Sequence, residues 1–271
     1  MTVRKQMKRS TSLLSFAALL LATAVSAQSA SDDALRPHLQ AQPHLPVITV
    51  ANYPKPTNLE ELDAYVARLE AVEAMKRLQY AFGYYLERGY VDAVADLFAT
   101  RATADYRGGK FIGKDSIVRF LRHHFVLPEL RDSNGPKAGV LNEHYLLQPV
   151  IDVSPDATKG WMRVRAWNFE GVAGERQDMS AGIYENTYVK EDGVWKIASL
   201  VYCESWRVDY LGDLNRTPIP EYPLPAPMTY PEDPHGPDKV SNYNCRPWPY
   251  VGITPPMHYP HPVTGDYIHK P

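Results

Sequence analysis

The 271-residue sequence predicts an α+β domain in which helices come first and then pack on one face of a curved antiparallel sheet. Apolar residues recur at spacings of three and four as far as Pro128, and alternate with polar ones from Gly160 to Tyr210. Between the last two alternating runs stands Asp192-Gly193, a dipeptide that favours the positive-φ turn of a hairpin.

The first helix is the clearest element. Thr57 and Glu60 have capping-box spacing, and Leu62, Tyr65, Val66, Leu69, Val72, Met75, Leu78, Phe82, Tyr85 and Leu86 make its expected inward stripe. Gly89 ends it. A short helix through Val94, Leu97 and Phe98 follows, then a strand and Gly-rich turn in "ATADYRGGKFIG". "GKDSIVRFLRHHFVLP" predicts a third helix with Ile117, Phe120, Leu121 and His124 on one face, His123 towards solvent and Pro128 as its stop. The run "LNEHYLLQPVIDV" reads as a strand carrying His144, and Pro149 makes it an edge strand or one broken by a bulge. Three long strands complete the sheet: Gly160 to Glu170, Met179 to Lys190 and Val194 to Tyr210.

Both ends differ in character. Residues 1–27 have a basic start, an apolar run from Leu13 to Val25 and a Val25-Ser26-Ala27 site, the pattern of a cleavable secretory leader. The expected location is therefore periplasmic or extracellular, with no stable membrane insertion after cleavage. Residues 28–56 read as an extended polar arm, 57–213 as the domain, and 214–271 as a Pro/Tyr-rich arm, ordered because of its aromatic content, that wraps the domain or a neighbouring subunit. Cys203 and Cys245 are the two cysteines, and in an oxidising compartment an even pair is most simply one disulfide pinning that arm. The balance of 44% hydrophobic and 22% charged residues with a net charge of −2, without a basic stripe, argues against a nucleic-acid partner. No phosphate loop, dinucleotide fingerprint or GxSxG elbow stands between a strand and a helix. His258 and His261 have a spacing that some metal sites use, but no acidic neighbours in sequence, so neither metal nor cofactor is expected.

The segments "YAFGYYLERGYVDAVADLFATRATADYRGGKFIGKDSI" and "GIYENTYVKEDGVWKIASL" resemble the SnoaL-like branch of the nuclear transport factor 2-like superfamily, over roughly Leu59 to Trp206. The resemblance implies a cone, a bent sheet wrapped around the long helix with a deep pocket at its open end, and pairing into a dimer or higher oligomer. Within the superfamily the chain is similar to the scytalone dehydratases, whose pocket tyrosines fall on Tyr85 and Tyr106 and whose strand histidine falls on His144. It departs from them at three places: Asn168 stands where they have a second histidine, Tyr184 where they have an asparagine, and Leu86 where they have an aspartate. A looser resemblance is to cofactor-free γ-formaldehyde lyases acting on lignin-derived diarylpropanes.

His144 is the leading catalytic candidate, because imidazole titrates where acid–base catalysis needs it. A histidine bonded in a structural network is the competing reading. Tyr85 and Tyr106 could hold substrate oxygens, although inward tyrosines are usually core. Asn168 and Tyr184 join the binding set through the resemblance. Trp167 alternates with Arg163, Arg165 and Trp161 along one strand, which suits a pocket mouth or a subunit interface. His124 and Arg88 complete the set, each with a structural alternative. The expectation is a cofactor-independent lyase for a phenolic small molecule. A dehydratase or isomerase, and a non-catalytic aromatic-binding protein, remain open beside it.

Overall fold

Helix α1 spans Leu59–Glu87 and carries the geometry from which the rest is built. The computed structural model describes residues 55–209, 224–241, 245–250 and 255–267. The chain divides into two units, Met1–Gln40 and Ala41–Pro271, and every described residue lies in the second. The expected leader, and all of the N-terminal arm but its last two residues, lie outside the described residues.

The cap of α1 sits one residue later than the sequence spacing suggests. Asn58 is the N-cap and its Oδ1 accepts from the Glu61 backbone N–H at 2.9 Å, while Glu61 Oε2 accepts from Thr57 N at 2.7 Å and Thr57 Oγ1 at 2.8 Å. Gly89, at φ 68°, stops the helix, and its N–H bonds to Leu86 O. The buried face is narrower than the apolar stripe: Ala71, Met75, Gln79, Phe82, Gly83 and Leu86 are inside, whereas Leu62, Val66, Leu69 and Tyr85 are exposed. At about 100° per residue Tyr85 points roughly 80° away from Met75, off the edge of the buried arc. The first three turns supply no buried residue.

Helix α2 (Val91–Asp96) leads into β1 (Phe98–Tyr106), so Phe98 opens a strand and does not close a helix. Strand β2 (Gly109–Ile112) follows a turn at Arg107 and Gly108, both at positive φ. Helix α3 (Lys114–Phe120) continues as a π-turn, Leu121–Phe125, in which Val126 N bonds to Leu121 O. That wider turn rotates the histidines away from their expected sides. His124 is exposed, while His123 is half-buried and stacks on His235 with ring centroids 3.7 Å apart.

The sheet has strand order β3-β4-β5-β6-β1-β2-β7, from β3 (Val140–Val153), β4 (Lys159–Val172), β5 (Arg176–Glu191), β6 (Val194–Asp209) and the short β7 (Lys239–Val240). It is curved and antiparallel except where β1 runs parallel to β6. Strand β3 is an edge, and its register shifts between Leu147 and Val150, with Gln148 at φ 55°, as Pro149 predicts. Asp192 and Gly193, at φ 53° and 79°, form the expected hairpin turn. The core lies between the inner sheet face and the helices, with Met75, Phe82, Phe98, Phe120, Leu121, Met162, Val164 and Ile197 buried. Among the described residues no helix is long and apolar enough to cross a membrane.

The described parts of the C-terminal arm are tied to the domain at several points. β7 pairs with β2, and Asp238 takes Arg119 at 2.7 Å, Ser116 Oγ at 3.0 Å and the Ile112 N–H at 2.7 Å. Cys203 and Cys245 are bridged, with Cα atoms 5.3 Å apart. Further on, His258 lies between Asp152 and Glu185, with Nε2 3.2 Å from Asp152 Oδ2 and Nδ1 bonded to Glu185 Oε1. Arg163 joins from β4, 2.6 Å from Glu185 Oε2 and 3.0 Å from Pro255 O. Burial opposes a charge on His258, but the two carboxylates outweigh it and raise its pKa.

Two stability predictions follow from the arm. Bridging residues 42 apart removes loop entropy from the unfolded chain worth about 4 kcal/mol. Chemical denaturation of Cys245→Ser against the oxidised protein should show a loss of that order, and the reduced protein should match the variant. The His258 contribution is complete below the unfolded histidine pKa of about 6.5 and disappears as pH rises through the raised folded value. Thermal midpoints across that range should therefore fall for the native protein relative to His258→Gln, whose profile should be flatter.

Candidate active site

The C-terminal end of α1 meets β3 closely enough to place a buried histidine. A Cβ on Gly83 would stand 3.3 Å from the His144 carbonyl and 3.1 Å from Leu146 Cδ1, so glycine is what allows the approach. Asn142 Nδ2 caps the helix through Leu86 O at 3.1 Å, and Glu87 Oε1 accepts from the His144 backbone N–H at 2.9 Å. Burial raises the Glu87 pKa, with the His144 N–H bond acting against it.

A cavity of about 420 Å³ lies beside this junction. Its wall includes His144, Asn168, Tyr106, Tyr202, Phe125 and Leu86. Arg107, Arg176 and Arg207 also line it, with Glu129, Glu170 and Glu204 as their partners. Strand parity explains the inner set: His144 is opposite Asn168 across β3 and β4, and Tyr184 is opposite Tyr202 across β5 and β6.

His144 is 7% exposed, with Phe82 and Tyr184 edge-on to it. Its Nε2 lies 2.7 Å from Tyr184 Oη. Burial alone lowers its pKa to about 4, so the imidazole is neutral at physiological pH. Tyr184 is itself fully buried, and burial holds its pKa well above the usual phenol value. Asn168 Nδ2 donates to Ser180 Oγ at 3.0 Å and to Tyr202 Oη at 3.2 Å. Tyr106 stacks on Tyr202 with centroids 6.2 Å apart, and burial raises the pKa of both phenols. A Cβ on Gly182 would come within 2.4 Å of the Tyr202 ring, so that glycine makes room for it.

The charged part of the wall is paired. Arg207 reaches Glu170 at 2.7 Å and Glu204 at 3.1 Å, Arg176 reaches Glu129 at 3.1 Å and Asp178 at 3.0 Å, and Arg107 stands 3.6 Å from Glu204. Burial works against the charge on Arg207, and Glu204 and Glu170 overcome it, raising its pKa. The Arg107 guanidinium lies 5.3 Å from the centre of the Tyr106 ring.

Of the residues singled out from sequence, the structure brings His144, Tyr106, Asn168 and His124 to the cavity, with Tyr184 directly behind His144. His124 is on the wall, but its Nε2 lies 2.6 Å from the His235 carbonyl and so also holds the arm. Three others are elsewhere. Tyr85 is 38% exposed and off the cavity, because it sits at the edge of the buried helix arc. Arg88 is the exposed C-cap of α1. Trp167 is 41% exposed on the opposite face of the sheet from Asn168, as period-two alternation requires of neighbours, and it packs on Phe169 and Trp206. Arg163 shares that outer face and holds the arm, so the strand does not form a pocket mouth. His258 and His261 are engaged separately, His261 Nδ1 accepting from the Val263 and Thr264 N–H groups at 3.2 Å each. Sequence reading missed Tyr202 and the arginine–glutamate wall. Counting back from the Glu191–Val194 pair puts Val201 opposite Tyr184, and a register shift between Thr187 and Tyr188 puts Tyr202 there instead.

The SnoaL-like domain family matches residues 67–201. A search of curated proteins found no match. Among solved structures the chain is similar to a candidate scytalone dehydratase from Novosphingobium aromaticivorans, at 22% identity and a TM-score of 0.44 over 56% of this chain and 93% of that one. It is also similar to a hexachlorocyclohexane dehydrochlorinase, LinA type 3, from Novosphingobium barchaimii, at 18% identity and a TM-score of 0.45 over 55% and 95% of the two chains. A nuclear transport factor 2-like protein of cystatin-like fold from Novosphingobium aromaticivorans gives 16% identity and a TM-score of 0.41 over 59% and 96%. Residues 67–201 of this chain are thus a SnoaL-like domain.

Proposed function

We propose that the protein is a cofactor-independent lyase that eliminates a small group from a phenolic aromatic molecule, outside the cytosol. The observation that carries this reading is a neutral imidazole, His144, on the wall of a cavity of about 420 Å³ with Tyr106, Tyr202 and Phe125. That volume is within the range of small-molecule sites, and its mixed lining suits a substrate with flat apolar faces and a few oxygens. The Cys203–Cys245 bridge supports an oxidising compartment.

The wall residues suggest where charge would go. A para-hydroxyphenyl substrate can lose its phenolic proton and expel a benzylic hydroxyl as water, giving a quinone methide. In a diarylpropane, the Cβ–Cγ bond then breaks as the γ-hydroxyl gives up its proton, which ends on the ring oxygen that the same electron shift regenerates. Formaldehyde leaves, the bond's electron pair forms the new Cα=Cβ double bond, and the ring returns to a phenolate. The same pocket stopping at the first step would be a dehydratase. On this reading His144 meets the reacting oxygen; Arg107 and Arg207 lie within the same wall.

The test is turnover of a phenolic diarylpropane followed by both stilbene absorbance and formaldehyde. Formaldehyde in equal amount to stilbene supports the lyase reading, water loss without formaldehyde makes the enzyme a dehydratase, and tight binding with no turnover makes it a binding protein. His144→Gln should lower kcat about 10²- to 10⁴-fold while far-ultraviolet circular dichroism stays unchanged. Gly182→Ala should also reduce kcat, because its new Cβ would occupy space within 2.4 Å of the Tyr202 ring atoms.

A further inference from the structure

The hydrogen bonds behind the cavity wall decide which atoms are left to face a ligand. Tyr184 Oη has one hydrogen to donate, the residue is fully buried, and His144 Nε2 at 2.7 Å is its bonded partner among the described residues. A buried donor left unbonded forfeits its hydration with no return, so Tyr184 donates and Nε2 accepts. A neutral imidazole then carries its hydrogen on Nδ1. Nδ1 has no hydrogen bond among the described residues, and its ring is on the cavity wall.

Tyr202 obeys the same accounting. Its oxygen accepts from Asn168 Nδ2, whose other hydrogen goes to Ser180 Oγ, so the phenolic hydrogen of Tyr202 remains to be given. Tyr106, stacked on Tyr202, makes no hydrogen bond through its phenol among the described residues. Burial favours the neutral form of all three groups, lowering the pKa of His144 and raising those of Tyr106 and Tyr202. The carboxylates on the wall, Glu129, Glu170 and Glu204, are already paired with Arg176, Arg207 and Arg107. They leave no uncompensated negative charge there.

We infer that His144 Nδ1–H, Tyr202 O–H and Tyr106 O–H form a cradle of donors that binds the oxyanion of a phenolate, with Tyr184 and Asn168 as positioning residues that fix which hydrogens are presented. The inference rests on the phenolic reading above and sharpens it. The imidazole enters as a donor locked by Tyr184, where the sequence assigned it the task of moving a proton. Three neutral donors fixed in place stabilise an oxyanion without reorganising when the charge develops. The phenolate so held is both the species that expels a benzylic group and the species regenerated at the end.

The experiment uses 4-nitrophenol, whose absorbance reports its ionisation, with the full oxidised protein. Bound nitrophenol should titrate at least one pH unit below the free compound, which is about tenfold tighter binding of the phenolate. Tyr202→Phe and Tyr184→Phe should each shrink that displacement, and Trp167→Phe, on the other sheet face, should leave it unchanged. Nitrogen-15 spectra of histidine-labelled protein, with the His144 signals assigned by their loss in His144→Gln, should show the Nδ1–H tautomer in the native protein and a loss of that preference in Tyr184→Phe. Binding of neutral nitrophenol, absence of binding, or an Nε2–H tautomer in the native protein would each overturn the proposal. Should Tyr184→Phe fail to fold, the native tautomer and the Tyr202→Phe titration still decide it. A protein that binds nitrophenolate as described yet turns over no diarylpropane retains the cradle and loses only the proposed reaction.

Discussion

The close approach of α1 to β3 at Gly83 is the constraint from which the site follows. With no Cβ there, the helix backbone can lie against the His144 carbonyl, and the two elements then exchange bonds through Asn142 and Glu87. These contacts hold the backbone of an edge strand that has a partner on one side only. His144 consequently projects into the space between helix and sheet, beside Phe82 and Tyr184, on which Phe125 packs in turn. A Cβ at position 83 would need the Leu146 side chain and the His144 carbonyl to give by a few tenths of an ångström.

Burial and pairing then divide the cavity wall into two electrostatic parts. The imidazole and the phenols are kept neutral because a charge on any of them would lose its hydration, a cost that outweighs the pull of Arg107 and Arg207 on the phenols. The arginines and glutamates instead stand in ion pairs, each with a partner at hand. A ligand oxygen thus meets neutral donors on one part of the wall and compensated ion pairs on another.

The C-terminal arm shows how a Pro-rich segment can be ordered without helix or long strand. Its described parts are held by single strong points: a covalent bridge at Cys245, Asp238 among Arg119, Ser116 and Ile112, and His258 between two carboxylates. The His235 carbonyl adds a contact to His124, a residue of the cavity wall. Arm and cavity are therefore physically joined, although most of the arm's attachments among the described residues lie on other surfaces.

Local chemistry determined much of this protein in advance. The period of apolar residues, Gly89, Pro149 and Asp192-Gly193 act within a few residues of themselves, so helix, bulged edge strand and hairpin were legible from the chain alone, as was the position of His144 on a strand. What lay beyond reach depended on atoms distant in sequence. Tyr85 looked inward by spacing, but the buried arc of α1 is set by where β3 and β6 lie. Tyr202 faces Tyr184 only because a register shift moves it there. Trp167 could have been excluded by parity with Asn168, since adjacent strand residues face opposite ways. The tautomer of His144, the pairing of Arg207 with Glu170 and the grip of Asp152 and Glu185 on His258 were decided by tertiary structure, because hydrogen bonds and ion pairs act over a few ångströms of space whatever the distance along the chain.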